Sequence, residues 1–135
     1  MVPAHDALGY YGRAYGIEVE GVQGISTDSE AGIRDIRRMV ELTIERDVPA
    51  VFIESTINPR TVEAVIDGAA DQDHEVTIGG ELYSDAMGNE GTAEGTYIGM
   101  LRANTRTIVE SLGGEPAPWP DALADWAERW QADDE

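Results

Sequence analysis

Apolar runs of two kinds alternate along this chain, and that alternation constrains its fold more than any other feature. Short runs of strand type, Val2-Pro3-Ala4, Ile17 to Val22, Ala50-Val51-Phe52-Ile53 and Val76-Thr77-Ile78, are separated by stretches with helical spacing. The first helix opens at His5 or Asp6 and runs to Tyr15, where Gly16 stops it. In the second, Ile33, Ile36, Val40 and Ile44 recur at three- and four-residue steps, preceded by Thr27 and Glu30 at capping-box spacing. Asn58-Pro59 starts the third, with Pro59 as its first residue and Val62, Val65, Ile66 and Ala69 as its stripe. Gly79 to Gly95 reads as a glycine-rich loop. Thr96 or Tyr97 opens a long fourth helix, with Tyr97, Met100, Leu101, Asn104, Ile108 and Leu112 on one face and Gly113-Gly114 closing it.

Strands alternating with helices predict an α/β fold: a four-stranded parallel sheet with helices on both faces. A chain of 135 residues is long enough for one such core. The body is expected to span residues 1–113. Residues 114–135 form a linker marked by Pro116, Pro118 and Pro120, then a short acidic helix with Leu123, Trp126 and Trp130 at helical spacing. That stripe reads as a docking face.

Charge excludes one function class. Twenty-seven acids face nine bases, a net charge of -18, and all nine bases are arginine. No basic patch exists to neutralise phosphates, so nucleic acid is not an expected partner. A chain this acidic repels itself at low salt, which points to a salt-rich setting and a halophilic microbe. The absence of cysteine rules out disulfides, thiolate metal sites and cysteine nucleophiles. No apolar run is long enough to span a bilayer, and Met1 to Ala4 do not open a signal peptide.

Ligands of open parallel sheets bind beyond the carboxyl ends of the strands. Four polar residues are expected there: His5, Gln23, Glu54 and Asp85, with Asp6, Glu81 and Ser84 close by. An imidazole and a carboxylate meeting at a cleft make a usable pair of metal ligands, though only half of a complete set. The plainer readings stand beside this one. His5 can cap a helix, Asp85 can form a turn, and Glu54 can bind backbone amides after its strand. His74, in the loop entering the last strand, belongs to the opposite edge and reads as a surface residue. No phosphate loop, nucleophile elbow or dinucleotide fingerprint is present.

Several of these segments resemble one family in order and spacing. They are Ala4-His5-Asp6-Ala7-Leu8-Gly9-Tyr10-Tyr11-Gly12-Arg13-Ala14-Tyr15-Gly16, Gly24-Ile25-Ser26-Thr27, Val51-Phe52-Ile53-Glu54-Ser55 and Pro59-Arg60-Thr61. The tightest are Gly79-Gly80-Glu81-Leu82-Tyr83-Ser84-Asp85-Ala86-Met87-Gly88 and Gly95-Thr96-Tyr97. The stretch from Val2 to Leu112 resembles the carboxyl-terminal lobe of the zinc- and manganese-specific, TroA-like solute-binding proteins of ABC importers. The resemblance implies one lobe of a two-lobed receptor, with metal held between the lobes by four protein ligands. His5 and Asp85 match the two ligands that this lobe contributes; Glu54 and Glu81 do not carry over as ligands. It also implies Zn²⁺ or Mn²⁺ as the bound ion, an ABC permease as the partner of the full receptor, and a location outside the cytoplasm at the cell surface. The amino-terminal lobe, its two histidines and the lipoprotein signal have no counterpart here. Weak metal binding is therefore expected of this lobe alone, with a separate first lobe or self-association completing it. The rival readings are a metal-assisted hydrolase with Glu54 as base, and a metal-free module that pairs with a separate first lobe.

Overall fold

The computed structural model describes residues 1–24 and 31–130. Its elements are β1 (Val2–Pro3), α1 (Gly9–Tyr15), α2 (Ile33–Glu45), β2 (Ala50–Glu54), α3 (Arg60–Ala70), β3 (Thr77–Leu82) and α4 (Tyr97–Ser111). A 3₁₀ turn (Asp121–Leu123) and α5 (Ala124–Trp130) complete it. The sheet is parallel, in the order β1-β2-β3.

Among the described residues the sheet thus has three strands, not four. The segment expected as a further strand, Ile17 to Val22, follows the free edge of β1 without forming a regular ladder. Glu20, Val22 and Gln23 donate to the carbonyls of Met1, Pro3 and Ala4, and Asp6 donates back to Gln23. Only His5 and Gln23 make a true bridge. Gly21 explains the irregularity. A side chain there would begin 2.6 Å from the Asp6 nitrogen and 2.7 Å from the His5 carbonyl carbon, so the edge is pressed onto the chain just past β1.

Side-chain alternation along β2 divides the core into two layers. Val51 and Ile53 face α2 and α3, joining Val2, Met39, Val40, Val62, Val65 and Ala69. Phe52 faces the other way, with Leu8, Leu82 and Ile108. Helices therefore cover both faces, as the alternation of elements predicts.

Several boundaries differ from expectation. Helix α1 starts at Gly9, because a tight turn from His5 to Ala7 intervenes. In α2 the inward side is Met39, Val40 and Thr43, while Ile33 is 77% exposed. Its start is held by Asp35, whose carboxylate accepts from the Gly32 N–H at 3.0 Å; the Thr27–Glu30 pair lies outside the described residues. Pro59 caps α3 rather than opening it.

The largest difference is at β3, which runs through Gly79 and Gly80 to Leu82 where a loop is expected. The glycines are there because α4 lies directly on them. A Cβ at Gly79 would stand 2.7 Å from the Ser111 side chain and 2.9 Å from the Phe52 ring, and one at Gly80 would stand 2.6 Å from Thr107. On α4 itself, Asn104 and Ile108 are buried, while Tyr97 and Leu112 stay exposed. Beyond α4, Trp119, Trp126 and Trp130 stack in series, and the Arg102 guanidinium lies 4.9 Å over the Trp119 ring.

Candidate metal centre

Register and alternation together assemble the site. Val2 pairs with Val51 and Pro3 with Phe52. Continuing that register two residues sets His5 beside Glu54, both on the Phe52 side of the sheet. Both are buried, His5 at 2% exposure and the Glu54 side chain at 0%. One Glu54 oxygen accepts the His5 backbone N–H at 2.9 Å. The other lies 2.7 Å from the ring atom Nδ1. The ring's N–H direction misses that oxygen, so this second contact is close without being a well-aligned hydrogen bond.

The other ring nitrogen, Nε2, faces the opening of the fold, where Asp85 Oδ2 stands 3.5 Å away. Two ligand atoms each about 2.1 Å from one tetrahedral ion lie about 3.4 Å apart, so this spacing fits a shared Zn²⁺. Asp85 differs from His5 in setting: its side chain is 57% exposed.

Asp85 sits in the loop after β3, and α4 anchors the root of that loop. The Asn104 amide accepts from the Tyr83 N–H at 2.8 Å and donates to the Tyr83 carbonyl at 2.7 Å. Ser111 donates to the Gly79 carbonyl at 2.7 Å. The loop is electrically negative. The Tyr83 phenol is pushed above its ordinary pKa by burial, and further by the carboxylates of Glu94 and Glu81. A cation is favoured where phenolate is not.

The structure brings His5, Glu54 and Asp85 together. Gln23 lies alongside, its backbone bridged to His5. Glu81 is exposed and Asp6 half-buried, and neither joins the His5–Asp85 pair. His74 lies at the far end of β3 as expected, but is half-buried rather than on the surface. Among the described residues, no group of three or more His, Asp or Glu side chains could hold a metal ion. The plainer reading of His5 as a helix cap does not hold, since α1 starts four residues later. Glu54 grips His5 instead. Its signal in the sequence was an acid directly ending an apolar strand.

Comparison with known proteins gives this geometry a family. The chain is 52% identical over 112 residues to the manganese-binding lipoprotein MntA of Bacillus subtilis, covering 83% of this chain and 37% of that protein. It is 53% identical over 112 residues to the zinc-binding protein TroA of Treponema pallidum, covering 83% and 36%. The solved structure of the periplasmic zinc-binding protein TroA superimposes with a TM-score of 0.81 at 53% identity, over 83% of this chain and 40% of that one. The manganese ABC transporter substrate-binding lipoprotein PsaA of Streptococcus pneumoniae is 27% identical over 112 residues, covering 83% and 35%. The chain thus spans a little over a third of the length of these relatives. The family described as zinc-uptake complex component A, periplasmic, matches residues 1–111, and this chain belongs to it.

Proposed function

We propose that residues 1–113 are the metal-binding lobe of an ABC-importer solute-binding protein, and that His5 and Asp85 are its half of a zinc or manganese site. The observation that carries this reading is the 3.5 Å spacing of His5 Nε2 and Asp85 Oδ2 at the carboxyl edge of the sheet. Relatives named as zinc-binding and manganese-binding support both ions as cargo. Affinity order favours zinc, while supply and geometry decide in a cell.

In the complete receptor a second lobe supplies the remaining ligands, and the closed form is offered to an ABC permease outside the cytoplasm. Residues 114–130 are read as an appended linker and short helix. The net charge of -18 supports a salt-rich setting. Without a second lobe, a second copy of this chain can face the same ion, which sedimentation with and without zinc would detect.

The reading is that of a receptor, not an enzyme. A hydrolase would need a base facing metal-bound water. Glu54 is enclosed and engaged by His5 through both oxygens, which leaves it unsuited to that task.

Calorimetry tests the proposal. Zinc should bind weakly, since a single chain offers two ligands, and His5→Ala should abolish most of that binding. Equal binding by His5→Ala would show that the ion sits elsewhere.

A further inference from the structure

We propose that Glu54 is the positioning residue of this site: it holds a proton on His5 Nδ1 and so commits the Nε2 lone pair to the cleft. The proposal deepens the metal-binding reading and rests on it for its functional meaning. Its structural part stands on the metal-free chain alone.

Glu54 closes on one residue from two sides. It takes the backbone N–H of His5 with one oxygen and meets the ring with the other, at 2.9 and 2.7 Å. Both side chains are shut away from water. A carboxylate in such a place is costly unless it is paired. At 2.7 Å a bare Nδ1 lone pair and a carboxylate oxygen would repel, so the contact favours a proton on Nδ1 even though the N–H direction and Oε2 are not aligned. In a neutral imidazole that proton leaves Nε2 as the acceptor. Nε2 is the nitrogen that faces Asp85. The tautomer able to ligate a metal is thus set before any ion arrives. A carboxylate on the far nitrogen also makes the imidazole a stronger ligand, and loss of such partners typically weakens metal binding by about 10–100-fold.

Glutamine is the informative replacement. It keeps the shape of Glu54 but has one acceptor oxygen for two donors, the His5 N–H and Nδ1–H.

Two-bond ¹H–¹⁵N correlation spectra of the metal-free, full chain read the tautomer directly. Only two histidines are present, and a His74→Gln variant assigns the spectrum. Wild-type His5 should show a single Nδ1–H tautomer with a slowly exchanging ring proton. Glu54→Gln should lose that preference and bind zinc about 10–100-fold more weakly. A wild-type His5 protonated on Nε2, or averaging between tautomers, would overturn the proposal, and this outcome needs no variant to fold. So would a Glu54→Gln protein with tautomer and zinc affinity both unchanged. Failure of the wild-type chain to bind zinc, with the Nδ1–H tautomer present, would overturn the receptor reading but uphold the hold of Glu54 on the ring.

Discussion

His5 and Asp85 face the same point from opposite physical settings. His5 is packed inside the fold and held by a buried acid. Asp85 projects from a loop with its carboxylate in solvent. Their replacement should therefore separate stability from binding. Removing the imidazole opens a cavity and leaves the Glu54 carboxylate buried without its ring partner, which is strongly destabilising. Asp85→Asn keeps the shape and removes only an exposed charge. It should shift stability by no more than about 0.5 kcal/mol. Its zinc affinity should fall by at least about tenfold, because a direct ligand is worth no less than the outer partners that orient one. Thermal melts and calorimetry on the same sample check both halves. A large loss of stability with zinc binding intact would contradict the assignment of Asp85.

The contact of α4 with β3 carries the site at the scale of elements. The glycines of β3 let the helix lie flat on the strand, and Ser111, Thr107 and Asn104 meet it one helical turn after another. Asn104 acts where the strand becomes the Asp85 loop. Asn104→Leu keeps the volume but orphans the N–H and carbonyl of Tyr83. The expected cost is about 1–3 kcal/mol for each group left unsatisfied. Amide exchange should rise first at Tyr83 and its neighbours, while β2 stays protected. Exchange that rises uniformly over the sheet would show that Asn104 serves overall stability rather than this loop. β1 is supported differently. It is two residues long, and its position depends on β2 on one side and on the Val22–Gln23 segment on the other.

Charge acts on the molecule as a whole. A net charge of -18 is spread over a chain with few described ion pairs, among them Arg46 with Glu18 and Arg106 with Glu110. Self-repulsion opposes the compact state, and salt relieves it. The screening length falls from about 10 Å at 0.1 M salt to about 3 Å at 1 M. The melting temperature should climb across that range, as differential scanning calorimetry can show. A flat or falling melting temperature would mean that local pairing already offsets the charge. Zinc binding should weaken over the same range, because the acidic surface that attracts the cation is screened too.

The local pattern of residues was enough for the class of fold. Apolar spacing marked β2, α3 and α4 closely, and the strand–helix alternation implied a parallel sheet with both faces covered. The rule about carboxyl ends then pointed to His5, Glu54 and Asp85. Family resemblance gave His5 and Asp85 their expected roles. Other features depended on contacts between distant segments, which spacing does not encode. Ile17 to Val22 alternates like a strand, yet Gly21 is pressed against the chain beyond β1 and the ladder does not form. Gly79 and Gly80 look like loop residues, yet they are strand residues because α4 needs the space. Glu54 was visible as an acid at a strand end, but its partner was not. Forty-nine residues separate it from His5. Only the pairing of β1 with β2 turns that distance into a contact, because register and side-chain alternation are properties of the assembled sheet.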